Sequence, residues 1–407
     1  MSNKRSAELT NKRKIKKGQL GQREWLKKTK SWICLAVLPC LVWIYWIYQF
    51  FFAQHLVVVW LQNSDEIRAT GGFLGSVIRL ESSGILPKNI RLHDIYDVGG
   101  GIRDYVEPPP PVKQYLAGGG AWRIQDVNWD RDFATSAKRF NDFLELAGEK
   151  PADLIVAINL SLIEKLFDQL GGVTLSNTSE QKITLTSENF ALIARARRPR
   201  QDYYDFPKMD LLNIAATATK DKIIALPPDG KLALFNWLRT QICHGELQFY
   251  SPHYLLERFF AQQKIAGLLT HRARHPHTHR VYLIDSNVGI NKVNRFVTRT
   301  QNLTTTETHL ATATSSATIQ VTWHNNCQID PAAGLTTADC TYANYFRLLL
   351  DPDVQILFST DTLDITTFID SQNQNWQEIG WLIIVPPDST VSAILNLNGI
   401  YSTWEIH

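Results

Sequence analysis

The sequence predicts an α/β fold, a mixed sheet with flanking helices, preceded by one transmembrane helix and followed by an immunoglobulin-like β-sandwich. Three observations predict this fold class. An uncharged apolar run follows a basic tail, strands alternate with helices from residue 56 to residue 299, and short β-prone runs crowd residues 300–407. Alternating strands and helices are typical of an α/β sheet, whereas many short strands between turn residues are typical of a sandwich.

The N-terminal segment predicts that the chain is anchored in a membrane and in which orientation. The first thirty residues hold eleven Lys or Arg against two Glu, and no Asp, Glu, Lys or Arg appears between Lys30 and Asp65. The apolar run Trp32–Phe52 makes about 31 Å of helix, which matches a bilayer core. Basic residues stay on the cytoplasmic side. We therefore expect a cytoplasmic tail at 1–30, a signal-anchor helix at 31–55, and a single-pass protein of the cell membrane with its C-terminal part extracytoplasmic.

Charge and cysteine content narrow the function classes. Without its basic tail the chain carries a net charge of −6, which is no electrostatic footprint for DNA or RNA, so nucleic acid is not an expected partner. Cys327 and Cys340 flank a short loop and can close a disulfide in an oxidising compartment. The sequence leaves that pairing open.

The α/β part, 56–299, begins with strands. Leu56–Leu61 is a continuous β-prone run, and Ser76–Glu81 and Asn89–Tyr96 are expected to follow as strands. Ser136–Ala147 carries apolar residues at helical spacing. Further segments complete the alternation: a strand at Asp153–Ile158, a helix ended by Gly171-Gly172, a strand at Val173–Leu175, and helices at Met209–Leu226 and Gly230–Ile242.

The sandwich is expected at 300–407. Its short β-prone runs are separated by Asn, Asp, Pro or Gly, as in an immunoglobulin-like domain. The predicted domain boundary therefore lies near residue 300.

The turn after the first strand carries charged side chains. Asp65, Glu66 and Arg68 precede Gly71-Gly72. Ligand sites in α/β sheets lie beyond the carboxyl ends of strands, and a Gly pair lets backbone N–H groups approach an anion. A capped turn with a surface Asp65–Arg68 pair explains the same residues.

Two later segments repeat this kind of pattern. Asp94 and Asp97 are paired carboxylates near a strand end, with Arg103 close behind, and such carboxylates can hold Mg²⁺ beside a phosphate. Arg123 opens a segment in which charges and aromatic residues alternate. A solvated loop is the alternative for both.

Four arginines form the third candidate. Arg195, Arg197, Arg198 and Arg200 end a predicted helix. They suit the negative end of the helix dipole, which is a structural reason, and Arg is also the residue for bidentate phosphate binding. Both interpretations stay open.

These segments resemble the bacterial family named domain of unknown function 4012, over roughly residues 56–400. The resemblance is carried by Asn63–Ser76, His93–Asp97, Pro108–Pro111, Asp126–Phe133 and Asp285–Lys292. The family name implies no activity.

A more distant resemblance, to the LytR–CpsA–Psr family, does imply one. It is carried by Val57–Arg68, Leu166–Val173 and Leu185–Arg197. That family, anchored by one N-terminal helix, transfers anionic glycopolymers from a polyprenyl-pyrophosphate carrier to the cell wall with Mg²⁺, acidic residues and Arg. The chain departs from it at Ile95–Val98, where the family has Pro-Arg-Asp-Thr, and at Lys208–Leu212, where it has Arg-x-x-Arg-Gln.

The resemblance implies a cell-envelope protein that binds a lipid-linked or wall-linked phosphate glycopolymer, with phosphotransfer to the cell wall as a candidate activity. The alternative is a non-catalytic surface or scaffold protein, so whether the chain is an enzyme is left open. The candidate catalytic residues are Asp65, Arg68 and Asp97, of which Asp65 and Asp97 would hold Mg²⁺; the candidate ligand-binding residues are Arg103, Arg123, Arg195, Arg197 and Arg198.

Overall fold

The computed structural model describes residues 54–83, 86–176, 182–190, 208–243, 246–269, 278–307, 315–330, 335–358, 364–399 and 403–406. The predicted cytoplasmic tail and the predicted span, up to residue 53, lie outside these ranges. Among the helices within them, none has the length and apolar character needed to cross a membrane.

Strands and helices are numbered in chain order. The strands are β1 (Gln54–Asn63), β2 (Phe73–Ser83), β3 (Leu86–Asp94), β4 (Leu154–Asn159), β5 (Val173–Ser176), β6 (Lys182–Leu185), β7 (Leu247–Tyr250), β8 (Thr278–Ile284), β9 (Val297–Glu307), β10 (Ser315–Asn325), β11 (Tyr342–Leu350), β12 (Gln355–Phe358), β13 (Asp364–Ile369), β14 (Asn375–Val385), β15 (Ser389–Gly399) and β16 (Thr403–Ile406). The helices are α1 (Ile95–Gly99), α2 (Phe133–Leu146), α3 (Leu160–Gln169), α4 (Lys208–Ala225), α5 (Pro228–Cys243), α6 (Tyr254–Gln262) and α7 (Thr337–Cys340), with short helical turns at Val112–Leu116, Ile124–Trp129 and Val293–Phe296.

The first sheet is mixed, which confirms the α/β prediction. Its strand order is β3-β2-β1-β4-β7. β1 and β4 run parallel with Val57 opposite Leu154, and β7 runs antiparallel to β4 with Tyr250 opposite Ile155. The start of β1, the start of β4 and the end of β7 therefore share one edge of the sheet. The carboxyl ends of β1 and β4 share the opposite edge.

The burial of β1 alternates along the strand, as the pleat of a strand with one covered face requires. Trp60 on the covered face is fully buried and meets the rings of Phe133 and Phe140 edge-on, at 5.3 and 5.2 Å between ring centroids. Those two rings belong to α2, whose N-terminus is capped by Asp132 through a 2.9 Å bond from the Thr135 backbone N–H. α2 therefore covers one face of the sheet.

A second apolar cluster lies around α3. Phe167 and Leu170 of α3 pack with Val173 and Leu175 of β5, and α4 and α5 contribute further residues. Gly171 and Gly172, with φ of +67° and +79°, end the helix before β5, as predicted.

The C-terminal part is a sandwich of two sheets. One has the order β12-β15-β10-β9 and the other β13-β14-β11-β8-β16. Between them Phe346 meets Trp323 and Trp381 edge-on, at 4.9 and 5.1 Å between ring centroids. Cys327 and Cys340 form a disulfide beside this core. The strands of the sandwich begin with β8, and the predicted boundary at residue 300 falls within β9. An immunoglobulin-like topology stays a prediction.

Aromatic and polar contacts join the α/β part to the sandwich. The fully buried Arg347 of β11 stacks on Trp129 at 4.0 Å from its guanidinium carbon to the ring centroid, and it also pairs with Glu378 at 3.3 Å. Val288 and Tyr345 pack into the core of the α/β part. The sandwich is therefore packed against the first sheet.

Candidate functional site

Two cavities lie near the carboxyl ends of β1 and β4. We call the first the Glu66 cavity; it has a volume of about 390 Å³ and is lined by Leu61, Gln62, Asn63, Glu66, Phe73, Gly75, Ser76, Asp94, Tyr96, Leu160, Ile163, Phe190 and Lys292. This edge of an α/β sheet is where ligands bind, because the loops that leave the strand ends can diverge and form a crevice. The position agrees with the sequence prediction.

One wall of the Glu66 cavity is apolar. Leu61 and Phe73 come from β1 and β2, and Leu160 and Ile163 lie three residues apart on α3, so they face the same side. Leu160, Ile163 and the buried Phe190 also belong to the apolar cluster around α3. The cavity is therefore continuous with an apolar region of the protein.

The remaining wall is charged. Asp94 ends β3 and caps α1 by accepting a 3.0 Å bond from the Tyr96 backbone N–H. Burial raises the pKa of Glu66, which Arg68 and the nearby Lys292 lower in part and Asp126 raises further. Burial and the charges of Asp126, Glu66 and Asp94 likewise raise the pKa of Tyr96. Because of its burial, Glu66 is therefore protonated more readily in this wall than in free solution.

Arg68 forms the centre of a buried ionic network behind this wall. Its Nη2 lies 2.9 Å from Glu66 Oε1 and 3.6 Å from Asp126 Oδ1. Burial raises the pKa of Asp126, while Arg68 and Arg123 lower it in part. The Arg68 guanidinium also lies over the ring of Phe73, at 5.4 Å from its centroid. The single guanidinium of Arg68 therefore neutralises part of the charge of two buried carboxylates, Glu66 and Asp126.

The same turn also binds the sandwich. Arg68 Nη1 donates to the Asn287 carbonyl at 2.5 Å, the Asn287 N–H donates to Ile67 O at 3.0 Å, and the Asn294 N–H donates to Asp65 O at 3.1 Å. Asp65 and Arg68 are 3% and 2% exposed. Two of the three predicted catalytic residues, Asp65 and Arg68, therefore take part in a buried junction. The surface Asp65–Arg68 pair that the alternative interpretation assumed is wrong, because neither residue is at the surface.

The Gly pair has a packing role. Gly71 has φ of +133°, and a Cβ there would lie 2.4 Å from Asn159 Oδ1; a Cβ on Gly72 would lie 2.4 Å from the Asn63 carbonyl carbon. The Gly71 N–H donates to Arg68 O at 2.9 Å. The pair therefore lets the turn fold back over the ends of β1 and β4.

The other predicted residues are distributed differently. Asp97 on α1, Arg103 and Arg123 are exposed, and none of them lines the Glu66 cavity. Arg195, Arg197 and Arg198 lie outside the described residues. The structure thus brings Asp65 and Arg68 together at the junction, and the convergence of the whole predicted set stays a prediction.

Three charged residues that line the Glu66 cavity are not among the site residues predicted from the sequence. Glu66 and Asp94 stand in the charged segments that drew attention, beside the chosen Asp65 and Asp97, and Lys292 ends the segment Asp285–Lys292 that carried the family resemblance. The sequence therefore indicated the right segments but not the individual residues. Which carboxylate of each segment faces the cavity depends on side-chain direction, which spacing alone does not reveal.

The predicted magnesium site also stays a prediction. Within the described ranges, no group of three or more His, Cys, Asp or Glu side chains is arranged to hold a metal ion. Asp65 and Asp97 do not line the Glu66 cavity, where Glu66 and Asp94 are the lining carboxylates.

The second cavity, also of about 390 Å³, adjoins the turn at residues 67–71. It is lined by Ile67, Arg68, Ala69, Thr70, Gly71, Arg131, Asn159, Gln248, Leu283, Ile284, Asp285 and Arg299. Arg299 pairs with Asp285 at 2.8 Å. This cavity is bounded by residues of both the α/β part and the sandwich.

The part of the chain from β1 to α3, which includes the turn with Arg68, matches a known protein family. Residues 54–197 match the family model for proteins of unknown function DUF4012. The predicted resemblance to this family is confirmed for these residues. No curated protein matches the chain.

Solved structures similar to the chain are distant. They include gbs0355 of Streptococcus agalactiae (14% identity, 52% of this chain and 74% of that chain, TM-score 0.34) and Bacillus subtilis TagV (13% identity, 53% and 79%, TM-score 0.29). Lin1025 of Listeria innocua is 16% identical over 56% of this chain and 86% of that chain, with a TM-score of 0.28. TM-scores this low establish no shared function.

Proposed function

We propose that the chain is a single-pass cell-envelope protein that binds a lipid-linked phosphate glycopolymer in the Glu66 cavity. The observation that carries the proposal is the division of this cavity into an apolar wall and a charged wall. A lipid-linked phosphate has the same two parts, an apolar chain and an anionic head group. Pockets that fix a ligand by a few polar groups set in an apolar wall are the usual form of small-molecule sites.

The apolar wall would hold the lipid. Leu160, Ile163 and Phe190 join the cavity to the apolar cluster around α3, so a prenyl chain would exchange water for hydrocarbon along this wall. No ionisable group of the described residues of α3 lines this wall.

The charged wall would hold the phosphate. Lys292 supplies a cation, and a proton on Glu66, which its raised pKa favours, both removes a negative charge and supplies a donor to a phosphate oxygen. If Mg²⁺ is bound here instead of that proton, Glu66 in its deprotonated form and Asp94 are the residues that would hold it, and it would neutralise phosphate oxygens. Whether the bound phosphate is transferred to an acceptor is the further step of the proposal, for which Glu66 is the candidate general acid or base.

Two observations support the extracytoplasmic location. The basic tail before an apolar run orients a span with the tail in the cytoplasm. The Cys327–Cys340 disulfide is of the kind that persists in oxidising compartments. Alkaline phosphatase fused after His407 should be active; an inactive fusion together with a cytoplasmic reporter that is active at the same position would contradict the topology.

A non-catalytic scaffold role remains the second candidate, because one observation favours it. The Arg68 guanidinium and the Asp65 backbone hold the sandwich against the α/β part. Residues that the family resemblance suggests for catalysis thus have a structural use in this chain.

Binding of a polyprenyl pyrophosphate to the full chain in detergent tests the proposal, with and without Mg²⁺. Lys292→Ala should weaken binding about 10- to 100-fold, because a lost charge-assisted hydrogen bond costs about 1.5–3 kcal/mol. Lys165→Ala is the matched control, since Lys165 lies on α3 but pairs with Glu246 at 2.8 Å and does not line the cavity. No binding by the wild type, or equal affinity of both variants, would refute the lipid-phosphate site and leave the scaffold role.

A further inference from the structure

α6 exposes an unusual number of large apolar side chains for so short a helix. Tyr254, Leu255 and Phe259 are 71%, 58% and 51% exposed. On the opposite side, Phe260 is buried and packs against Phe249 of β7 at 5.5 Å between ring centroids. The helix is therefore attached to the sheet by one face and presents a second apolar face outward. Single hydrophobic residues at a surface are ordinary, whereas a group of them on one helix marks an interaction surface.

The topology of the first sheet decides where this outward face lies. β1 and β4 start at the same edge of the sheet, and β7 ends there. Asp153 joins them: its side chain accepts a 2.8 Å bond from the Leu56 N–H, and its carbonyl accepts a 2.8 Å bond from Ser251 Oγ. α6 begins at Tyr254, three residues after Ser251. The helix therefore begins beside the N-terminal end of β1.

The length of chain before β1 relates this edge to the bilayer. Leu56 is the fourth residue after Phe52, the last residue of the apolar run. A fully extended chain covers at most about 3.6 Å per residue, so a span that includes this run would reach to within about 14 Å of Leu56. We propose that α6 is an interfacial helix that seats the domain on the outer surface of the membrane, with Tyr254, Leu255 and Phe259 among the lipid head groups. The inference rests on the membrane anchor of the proposed function.

The side chains of α6 suit this surface. Tyr carries an apolar ring and a polar hydroxyl, and Leu and Phe bury apolar area at the boundary of head groups and acyl chains. Arg258 and Lys264 are exposed cations beside them, which attract anionic lipids. The one acidic residue of the helix, Glu257, turns inward and accepts a 2.9 Å bond from the Ser251 N–H. Its carboxylate is therefore held away from the lipid.

Photolabelling of the full chain in vesicles tests this placement. The vesicles contain phosphatidylcholine and phosphatidylglycerol at 7:3, with a small fraction of a phospholipid that carries a diazirine near its head group. Labelled peptides are identified by mass spectrometry. Leu382 and Ile384 of β14, which are 38% and 46% exposed, supply the matched apolar control on the sandwich.

We expect the peptide that contains α6 to be labelled at least fivefold more than the peptide that contains Leu382 and Ile384. Leu255→Ser with Phe259→Ser should reduce that labelling at least threefold, while Leu382→Ser with Ile384→Ser leaves it unchanged. The Glu66 cavity lies at the other ends of β1 and β4, so neither pair should alter polyprenyl pyrophosphate binding. Melting temperatures within a few degrees of wild type would show that all variants fold.

Two results overturn the inference in distinguishable ways. A chain that floats with the vesicles but whose α6 is labelled no more than β14 would refute the interfacial helix alone. A chain that does not float with the vesicles would refute the anchor and the inference together.

Discussion

Replacement of Arg68 tests whether this residue is primarily structural. In Arg68→Met the guanidinium disappears while Glu66 and Asp126 keep their carboxyl groups, whose side chains are both only 8% exposed. Removing one partner of a buried ion pair costs about 3–5 kcal/mol of folding free energy, because the remaining charge is buried without compensation. The bond to the Asn287 carbonyl is lost as well. We expect a loss of about 3–5 kcal/mol at pH 8.

The pH dependence of this loss distinguishes a charge effect from a packing effect. Arg68 lowers the pKa values of Glu66 and Asp126, both raised by burial, so both rise further without it. A carboxyl group whose pKa is raised in the folded state contributes stability that is present at low pH and lost as pH rises through that pKa. The difference between Arg68→Met and wild type should therefore be smaller at pH 5 than at pH 8.

Chemical denaturation of the full chain in detergent, followed by tryptophan fluorescence, measures both effects. Adding Glu66→Gln to Arg68→Met should restore part of the loss, since it removes one uncompensated charge. Lys165→Met breaks the more exposed pair with Glu246 and should cost at most about 1 kcal/mol. If Arg68→Met unfolds at the wild-type denaturant concentration at pH 8, the structural role assigned to Arg68 is wrong.

Three further predictions concern separate parts of the chain. Burial, and to a smaller extent Asp132, raises the pKa of Glu257 to about 7, although the bond from the Ser251 N–H lowers it in part. After allowance for solvent screening, the wild type should therefore lose about 1–2 kcal/mol of stability between pH 4.5 and 7, and Glu257→Gln should not. Parallel pH profiles of the two proteins would contradict this. Replacing Cys327 and Cys340 by Ala opens a loop of 13 residues in sequence separation and should cost about 3 kcal/mol, read from the denaturation midpoint, with an unchanged midpoint as the contrary result. A protease site inserted at residues 270–277 should yield fragments that co-elute in gel filtration, because the contacts between the α/β part and the sandwich span the cut; separate elution would show that these contacts do not hold the parts together.

Much of the α/β architecture follows from local patterns. The apolar run that became β1, the helical spacing of α2 and the positions of α4 and α5 agree with the predicted segments to within a few residues. These elements have strong periodicity and clear stop signals, such as Gly171-Gly172, so neighbouring residues suffice to specify them. The strand end as the place of the candidate site also follows from the order of strands and helices.

The roles of individual charged residues do not follow from local patterns. The sequence places Asp65 beside Glu66 and Asp94 near Asp97, and both members of each pair have the same chemistry. The tertiary structure decides between them: Glu66 and Asp94 line the cavity, because the direction of a side chain depends on backbone angles that spacing does not reveal.

The sequence by itself determined the basic tail, the apolar run, the alternation of strands and helices, and the charged segments at the strand ends. Only the tertiary structure decided that Arg68 serves the junction with the sandwich, because its partner Asn287 lies 219 residues away along the chain. It likewise brought Lys292 to the Glu66 cavity and α6 to the edge where β1 begins. Contacts over such separations arise from strand pairing and core packing, which depend on the whole chain and leave no periodic signal in any one segment.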